Sequence, residues 1–530
     1  MIMMRAEQWA CAGQTEVFDV TVIGGGATGL GVALDAALRG FSVLLLESHD
    51  FGGGTSSRST KLLHGGVRYL AQGNISLVRE ALAERTTVLH IAPHLAQPLP
   101  FVMPSYHWWQ TPFYGVGLKA YDLLAGKAGL GATELLSRTE VQTALPGIRG
   151  DHLQGGVKYW DGQFDDARLA LALARTTERA GGVVLNYADV QAINDITDSQ
   201  ARFDVCVTDK RLGSQHHFKT RALINAAGVW VDQIRQMAKP VKDKTPNHRM
   251  VSPSQGVHVV VDRSFMPAEH ALLVPKTEDG RVLFAVPWMG SIILGTTDTP
   301  RQDLPREPDP FASELDFILQ ESSKVLSKPV TRQDIKSVWV GLRPLVAAPP
   351  TKGNAATKTL SREHTIVTDS SGLITVTGGK WTTYRAMAED VMQACFKAGV
   401  LPARPGGATK THTLVGAGQI GGQNHALWQT PGPHLYGSEI EAVRQCPGAD
   451  DDIGLGLTQA MVRFAARHEY AQTVEDMLAR RWRVLFLDAR LARSMAPQVA
   501  QILQQETGID PQLEAFEQLT KHYLVASNLT

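Results

Sequence analysis

The sequence predicts an α/β protein that combines a nucleotide-binding domain with a separate antiparallel sheet and a helical C-terminal domain. Residues 18–47 read as a strand, a glycine-rich turn, a helix and a second strand, which is the unit from which parallel sheets are built. Between about residues 240 and 340 the pattern changes to short alternating strands, which indicates an antiparallel sheet. Beyond about residue 400 the chain reads as amphipathic helices.

The glycine-rich turn has the pattern of a Rossmann-like dinucleotide site. A β-branched run at residues 20–23 leads into GGGATG, which fits G-x-G-x-x-G, and helix formers follow as far as Gly40, the expected C-cap. The glycines allow a tight turn, the approach of the backbone to a pyrophosphate and close packing of helix on strand. The residues of this turn are Gly24, Gly26, Ala27, Thr28 and Gly29.

An acidic residue completes this unit. Glu47 follows the second apolar strand, residues 42–46, about 20 residues beyond the glycines, where a carboxylate can accept hydrogen bonds from the ribose of an adenosine. Because strand, helix and acid are all in register, we favour a dinucleotide site over a glycine-rich turn in an ordinary α/β unit.

Residues 52–70 form a loop rich in hydrogen-bond donors. Gly, Ser and Thr residues give way to cationic and aromatic residues, namely Lys61, His64, Arg68 and Tyr69. Beside Gly65 and Gly66, such groups suit an anion pocket against a flat cofactor, whereas the alternative is a solvated connection. We favour the anion pocket.

Aromatic residues crowd residues 104–130. On a helix that begins after Pro112, one face collects an apolar stripe of Phe113, Val116, Ala120, Tyr121 and Leu124. An amphipathic aromatic helix can lie at a lipid interface. Taken alone, the stripe favours packing against a neighbouring domain.

The α/β pattern continues on both sides of the predicted antiparallel sheet. Residues 165–169 open a helix that ends at Gly181, and residues 222–228 form a short apolar strand that closes on small residues. A later strand, residues 373–377, runs into two glycines, and Thr382 or Thr383 can cap a helix over residues 384–397. The N-terminus of that helix would stabilise negative charge on an electron-rich ligand.

Composition and charge exclude several classes of protein. Lys plus Arg and Asp plus Glu both number 52, and no long block of like charge favours nucleic acid. No run of 18 apolar residues occurs, so we expect no membrane-spanning segment. The four cysteines lack a C-x-x-C pair, which indicates reduced thiols, and neither residues 450–452 nor residues 216–217 have the spacing of metal ligands.

We expect residues 1–16 to be a disordered leader and the mixed charges of residues 479–493 to be solvated helix faces.

Four motifs together resemble the FAD-dependent glycerol-3-phosphate dehydrogenases: GGGATGLG, TSSRSTKLLHGGVRYL, GLRPL and GGKWTTYR. The resemblance extends through GTTDTP at residues 295–300 and into residues 462–481, so it covers nearly the whole chain apart from the leader. The glycine motif is shared by many flavoproteins, whereas residues 55–70 and GGKWTTYR are close to diagnostic of this family and its oxygen-using oxidase relatives.

The resemblance implies a Rossmann-like FAD-binding domain, an antiparallel-sheet substrate domain and a C-terminal α-helical cap domain. The expected FAD-binding domain is discontinuous and comprises residues 17–95, 150–238 and 336–398. Residues 96–149 and 239–335 would form the substrate-binding, membrane-facing domain, and residues 405–530 the cap.

The implied reaction is the oxidation of sn-glycerol 3-phosphate to dihydroxyacetone phosphate by hydride transfer to FAD, with electrons passed to a membrane quinone. The implied location is cytoplasmic and peripheral on the inner face of the cell membrane. With this resemblance, contact of residues 106–124 with lipid and their packing against a neighbouring domain are equally favoured. The motifs encode the acceptor poorly, so an oxygen-using glycerol-3-phosphate oxidase, or another FAD-dependent hydroxy-acid or amine oxidase, stays open. A flavin-sensing protein without turnover is less favoured, because four cations, Arg68, Arg343, Arg362 and Lys380, are expected to converge on the substrate. The chain could also form a homodimer.

The resemblance also implies the site residues. Those that face the substrate are Arg68, Tyr69, His258, Arg343, Arg362 and Lys380. His258 is the expected base for the C2 hydroxyl, with His64 as the competing candidate, and Arg343 and Lys380 assist catalysis by their charge. Many relatives carry a basic residue where this chain has Gln255. Besides the glycine turn and Glu47, the expected FAD contacts are Thr55, Ser56, Ser57, Lys61, Leu62, His64, Gly65, Gly66, Val190, Ala226, Gly228, Gly341, Arg343, Gly378, Gly379, Lys380 and Thr382.

Overall fold

The structure is a computed structural model, and it describes residues 5–66, 74–196, 200–238, 248–278, 280–347, 364–418 and 425–525. Its strands in chain order are β1 (Phe18–Ile23), β2 (Val43–Leu46), β3 (Leu62–Leu63), β4 (Ala96–Ser105), β5 (Glu134–Ser137), β6 (Gly155–Phe164), β7 (Val183–Leu185), β8 (Ala188–Asp195), β9 (Phe203–Asp209), β10 (Gln215–Asn225), β11 (Val251–Asp262), β12 (Ala271–Val274), β13 (Leu283–Trp288), β14 (Ser291–Gly295), β15 (Thr299–Pro300), β16 (Ser337–Val346), β17 (Thr365–Thr368), β18 (Ile374–Thr377), β19 (Asp452–Gly454) and β20 (Leu457–Thr458). Its α-helices are α1 (Arg5–Gln14), α2 (Ala27–Leu38), α3 (Ile75–Ile91), α4 (Gln110–Ala125), α5 (Arg138–Ala144), α6 (Asp166–Arg179), α7 (Val231–Met237), α8 (Ala312–Val325), α9 (Tyr384–Lys397), α10 (Ile440–Arg444), α11 (Gln459–His468), α12 (Val484–Leu487), α13 (Ala489–Thr507) and α14 (Leu513–His522).

The first sheet contains the predicted Rossmann-like unit. Its strands lie in the order β17, β18, β10, β1, β2, β7, and β9 and β8 extend it from β10. β1 is parallel to both β2 and β10 because each of these strands carries a run of buried apolar residues that needs cover on both faces. Helices α2, α6 and α9 share one core with β1 and β2.

The second sheet confirms the predicted antiparallel region. β11 is antiparallel to β14 and β16, and β4 is antiparallel to β6, while β12 joins the two groups by lying parallel to β4. Two of these strands differ from our division of the chain, because β6 and β16 were assigned to the FAD-binding domain. Their partners lie far away in sequence, and sheet membership follows those partners.

The C-terminal part is largely helical, as predicted, with a short β19–β20 hairpin between its helices. Its apolar side chains share a core with the second sheet, where Trp482 and Phe486 join Trp288 and Trp339. The charges of residues 479–493 are not all solvated, because Arg480, Arg481 and Arg483 are buried. Each of the three pairs with a carboxylate of the N-terminal part, Asp50 or Asp166, which periodicity within the helices could not reveal.

The leader is ordered where the structure describes it, which corrects our expectation of disorder. Residues 5–14 form α1, and Trp9 and Ala12 pack into the core on the outer face of the first sheet. Arg5 anchors the helix through an ion pair of 2.8 Å with Asp209. Asp209 lies 204 positions after Arg5, so the local sequence gave no sign of this ion pair.

The aromatic helix α4 begins at Gln110 and presents two different apolar faces. We predicted that Tyr121 shares a face with Phe113, and this is wrong: Tyr121 is buried in a small core with Val78 and Leu82, whereas Phe113 is exposed. The opposite face remains exposed, including Phe113, Val116 and Leu123. No helix in the described ranges is long and apolar enough to cross a membrane.

Candidate active site

A cavity of about 650 Å³ opens at the carboxyl ends of the parallel strands of the first sheet. β1, β2 and β18 end at its wall, and the second sheet closes it from the other side with residues of β11 and β16. Crevices at this edge of an open α/β sheet are the usual place for ligands. The cavity brings together these predicted residues: Gly24, Gly26, Ala27, Thr28, Glu47, Thr55, Ser56, Leu62, His64, Val190, Ala226, Gly228, His258, Gly341, Arg343, Gly378, Gly379, Lys380 and Thr382.

The turn between β1 and α2 has no room for a side chain at two of its glycines, Gly24 and Gly29. Gly24 has a φ of +114°, and a Cβ there would lie 2.5 Å from the carbonyl oxygen of Ala226. A Cβ on Gly29 would collide with the carbonyl oxygen of Gly24. At the N-terminus of α2, the N-cap residue Gly26 provides no side-chain cap, so the positive end of the helix faces the cavity.

Glu47 lies at the cavity wall beside this turn. Its Oε2 accepts a hydrogen bond of 2.7 Å from the Gly25 amide, and its Oε1 accepts one of 2.9 Å from the His49 amide. These two bonds fix the carboxylate and leave lone pairs for a ligand, since a carboxylate has about four acceptor sites.

The opposite end of the cavity is formed where β18 runs into Gly378 and Gly379. Both glycines have positive φ, of +83° and +71°, and the chain then makes a turn over Trp381–Thr383 before α9 begins. The predicted cap of α9 is wrong in its chemistry: Thr383 is the N-cap residue, but its hydroxyl donates backwards to the Lys380 carbonyl at 3.4 Å. The Thr382 hydroxyl is also engaged, with the His64 carbonyl at 3.5 Å.

His258 stands on β11 at the cavity wall. Its ring stacks on Trp339 with centroids 4.0 Å apart, and its Nε2 lies 2.9 Å from the Thr60 hydroxyl oxygen. Its Nδ1 is buried without a hydrogen-bond partner in the described part of the chain. Burial, followed by the charges of Lys61 and Arg343, holds the pKa of His258 well below its usual value. The ring is therefore a neutral imidazole at neutral pH.

Two predicted cations reach the same wall. Arg343 makes an ion pair of 3.0 Å with Asp298 and donates to the Thr296 hydroxyl at 3.2 Å, while its side chain stays about a quarter exposed. Lys380 lines the cavity next to the two glycines that end β18. Arg68, Tyr69 and Arg362 lie outside the described residues.

Lys61 points away from the cavity. Its ammonium group is fully buried, donates to Asp166 at 2.8 Å and to the Ser57 carbonyl at 2.7 Å, and lies 4.6 Å from the centre of the Trp339 ring. Burial lowers the pKa of Lys61 to about 7 against the opposing effect of Asp166. Lys61 thus anchors the loop from behind, on the far side of Trp339 from His258.

Four more of the expected FAD contacts also lie outside the cavity wall; they are Gly29, Ser57, Gly65 and Gly66. Gln255 is buried as well, donates to Glu314 at 2.5 Å and accepts from Arg301 at 2.6 Å. A basic side chain at Gln255 would therefore sit behind the wall, next to an arginine that is already present.

Comparison with known proteins identifies the family. A family model described as FAD dependent oxidoreductase matches residues 19–385, and one described as the C-terminal domain of alpha-glycerophosphate oxidase matches residues 432–514. The mitochondrial glycerol-3-phosphate dehydrogenase of Bos taurus is 40% identical over 94% of this chain and 71% of its own length. The Homo sapiens protein of the same name is 38% identical over 96% and 73%.

The chain belongs to the FAD-dependent glycerol-3-phosphate dehydrogenases. A solved glycerol-3-phosphate dehydrogenase from Bacillus halodurans, complexed with FAD, is 27% identical, superposes with a TM-score of 0.75, and covers 98% of this chain and 97% of its own. An L-alpha-glycerophosphate oxidase from Mycoplasma pneumoniae, at 16% identity and a TM-score of 0.56, shares the fold.

The residues of this family member fit FAD. The glycine-rich turn and the N-terminus of α2 suit a pyrophosphate, and Glu47 suits a ribose. The two glycines of positive φ, Gly378 and Gly379, would leave backbone next to a flat ring. Thr55 donates to the Leu342 carbonyl at 2.6 Å, and Ser56 accepts from the Ala27 amide at 2.9 Å. These two bonds join the loop of residues 55–61 to β16 of the second sheet and to the N-terminus of α2.

Sequence reasoning missed several residues of the wall: Arg58, Ser59, Thr60, Trp230, Arg306 and Trp381. Four of them lie inside motifs that we had quoted, so their neighbourhood was the available signal. Trp381, for example, donates from its indole nitrogen to the Ser56 carbonyl at 2.7 Å. Trp230 and Arg306 belong to no motif, and only the folded structure brings them to the cavity.

Proposed function

We propose that this protein oxidises sn-glycerol 3-phosphate to dihydroxyacetone phosphate and passes the electrons to a quinone in the cell membrane, working from its cytoplasmic face. When bound, FAD supplies the hydride acceptor. The observation that carries the proposal is the wall on which neutral His258 lies with Arg343 and Lys380, at one end of a cavity that fits FAD. The names of the dehydrogenase relatives agree with this substrate.

The cations account for the choice of a phosphorylated alcohol. Arg343 and Lys380 place positive charge where a phosphate dianion or a developing alkoxide would lie. Asp298 holds the Arg343 guanidinium in place, so its charge is oriented before a substrate arrives. By the resemblance, Arg68, Tyr69 and Arg362 complete this set.

His258 takes the proton from the C2 hydroxyl at its Nε2. The imidazole is neutral because burial and the neighbouring cations disfavour its protonated form. Thr60 lines the cavity beside the ring, and its hydroxyl, 2.9 Å from Nε2, holds the ring in one orientation. His64 lines the same cavity and is the competing base.

Oxygen is the second candidate for the electron acceptor. The match of residues 432–514 to a domain named after alpha-glycerophosphate oxidase favours this candidate. Peroxide yield separates the two: a dehydrogenase makes little peroxide per glycerol 3-phosphate consumed, whereas an oxidase makes one per turnover.

The exposed face of α4 supports contact with the bilayer that holds the quinone. Successive residues of an α-helix are turned by 100°, so Trp109, Phe113, Val116 and Leu123 lie within one narrow arc. All four are exposed, and Leu123 is 83% exposed. A single face of aromatic and aliphatic side chains is typical of a helix that lies in a membrane interface.

Substrate reduction of the bound flavin tests the function directly. Anaerobic purified holoenzyme should lose its flavin absorbance on addition of sn-glycerol 3-phosphate. The enantiomer sn-glycerol 1-phosphate, glycerol and lactate should leave the absorbance unchanged. Bleaching by lactate or by an amino acid, with none by glycerol 3-phosphate, would replace this proposal by a different oxidase.

A further inference from the structure

Residues 301–311 cross the cofactor cavity on the side of Glu47. The segment leaves the second sheet after β15 and ends where α8 begins. Leu304 and Arg306 contribute to the cavity wall, although no sequence motif includes them. The segment is therefore connected in sequence to the second sheet, but it contacts the cofactor site formed by the first sheet.

Three contacts fasten the segment to the FAD-binding domain. Glu307 pairs with the buried guanidinium of Arg58, with Nη1 and Oε2 2.9 Å apart. The indole nitrogen of Trp230 donates to the Leu304 carbonyl at 3.2 Å. The Arg306 guanidinium lies 4.5 Å from the centre of the Trp230 ring. Each contact joins a residue of the segment to a residue of the cavity wall.

The remainder of the segment is also held. Arg301 donates to the side-chain oxygen of Gln255 on β11 at 2.6 Å, and His522 of α14 binds Asp309 at 2.8 Å. The hydroxyl of Tyr523 donates to Glu307 at 3.3 Å, so the C-terminal cap supports the ion pair with Arg58 from behind. The segment is thus anchored at both ends and in its middle.

Arg306 occupies the end of the cavity where the adenosine belongs. Its Nη2 donates to the Ser48 hydroxyl at 2.5 Å, and its Nη1 lies 4.0 Å from Glu47, the residue placed to bind the ribose. A guanidinium offers a flat cationic face and several donors, which suits both an adenine ring and ribose oxygens.

We propose that residues 301–311 form a strap that retains FAD, with Arg306 in contact with the adenosine half of the cofactor. The strap must detach from Trp230 and Arg58 before FAD can leave past Glu47. The inference concerns retention of the cofactor, so it stands or falls independently of the substrate and of the electron acceptor.

Release of FAD from the holoenzyme measures the strap directly. The holoenzyme is diluted into buffer without flavin, and the rise in fluorescence of free FAD gives the release rate, while circular dichroism follows the fold in the same sample. Arg306→Ala should release FAD at least about tenfold faster than wild type, because the loss of a charged contact to a ligand raises its off-rate. Arg306→Lys should give an intermediate rate, since it keeps the charge and loses the planar face.

Two further variants separate the strap from general stability. Trp230→Phe keeps a ring under Arg306 and removes the donor to Leu304, so we expect release about threefold faster. Arg332→Ala is the matched control: Arg332 is 40% exposed against 37% for Arg306, pairs with Asp316 in the same domain, and lies away from the cavity. It should release FAD at the wild-type rate. Equal rates for Arg306→Ala and Arg332→Ala, or loss of the dichroism signal in step with FAD release, would overturn the proposal.

Discussion

His258 illustrates how a residue gains a function from its surroundings rather than from its own chemistry. A histidine in the middle of a strand is usually a core or surface residue. Here Trp339 covers one face of the ring, Thr60 holds its Nε2, and two cations disfavour its protonation. The result is a neutral imidazole at the wall of the cavity, which is the state that a general base requires.

His258→Asn should slow anaerobic reduction of the flavin by glycerol 3-phosphate at least about a hundredfold, because a positioned base contributes about 10² to 10⁴ in rate. The pKa of His258 in the folded protein is below the usual value of about 6.5, so the wild-type rate should fall only at more acidic pH, as the ring takes up a proton. Stopped-flow absorbance across pH measures both the rate and this acidic limb, which the variant should lack.

Retention of bound FAD serves as the control for His258→Asn. His64→Asn is the matched variant at the competing base. If His258→Asn weakens only substrate affinity and keeps the acidic limb, while His64→Asn removes it, the base is His64 and His258 is a substrate ligand.

Thr60→Val should lower the same rate by about two- to tenfold, the usual net contribution of one hydrogen bond. The hydroxyl lies 2.9 Å from Nε2, the atom that takes up the proton, so its loss should shift the acidic limb of the pH profile. Thr60→Ser should restore both the rate and the limb. An unchanged limb in Thr60→Val would limit Thr60 to packing.

At the scale of residues, the sequence predicted contacts made by nearby backbone and failed for contacts between distant side chains. Glu47 and the glycine turn lie within one strand–helix–strand unit, and the structure places them together. Lys61 has its carboxylate partner 105 positions away, and Arg58 has its partner 249 positions away. A basic residue in a donor-rich loop looks the same in sequence whether it faces a ligand or a buried carboxylate.

Helix α4 shows the corresponding limit at the scale of elements. The spacing of its apolar residues predicted a helix with an apolar stripe, and a helix is present. The period could not show that Tyr121 would find the small core with Val78 and Leu82 while Phe113 would not. By contrast, α9 begins and ends where predicted, at Tyr384 and Lys397. Its boundaries are marked by local features, a glycine pair before it and Gly399 after it.

The double variant Trp109→Ser with Phe113→Ser should weaken binding to vesicles of anionic lipid at least about tenfold. Burial of one large apolar side chain contributes about 1.5 to 3 kcal/mol, and about 1.4 kcal/mol is a factor of ten. Both residues lie on the exposed face of α4, and Phe113 is 66% exposed. Co-sedimentation with vesicles measures the partition.

Leu212→Ser is the control for the lipid experiment, because Leu212 is an apolar residue as exposed as Phe113, 67% against 66%, but lies in the turn between β9 and β10. It should bind vesicles like wild type. If the double variant also binds like wild type, but changes from dimer to monomer in solution, the exposed face of α4 is an interface with a second copy of the chain.

At the scale of the whole molecule, buried charges tie the cap to the cofactor site. We call Arg480, Arg481 and Arg483 the cap arginines. Arg481 binds Asp50 at 3.0 Å, and Arg483 binds Asp166 at 3.2 Å. Asp50 lies three residues after Glu47, and Asp166 holds Lys61 from behind the loop. The cap therefore supports the cavity wall from behind, although none of its described residues lines the cavity.

The fold class could be predicted from sequence because it depends on the local spacing of apolar residues. The way in which the two sheets and the cap pack together could not be predicted. A stretch of arginines among apolar residues is typical of a solvated helix face. Here the turns that carry the cap arginines enter the interface between domains. Arg480 also pairs with nearby Glu475 and Asp476, but Asp50, which binds Arg481, lies 431 positions before it.

Arg481→Met should lower the free energy of unfolding by about 3 to 5 kcal/mol, because removal of one partner leaves a buried charge incompletely compensated. Urea unfolding followed by circular dichroism and by FAD fluorescence should give a single shared transition in wild type, since one core and one set of ion pairs join the cap to the cavity. Burial alone would raise the pKa of Asp50, but Arg481 and Arg480 hold it below its usual range. The stabilisation is therefore present above the unfolded pKa of about 3.9 and is lost as the pH falls through the lower folded pKa, so the wild-type advantage should shrink below about pH 4.

Arg444→Met is the matched control, because Arg444 is 60% exposed in the cap and pairs with exposed Glu441; it should change stability by less than about 0.5 kcal/mol. If Arg481→Met unfolds like Arg444→Met, or if the wild-type cap unfolds before FAD is released, the buried charges do not couple the cap to the cofactor site.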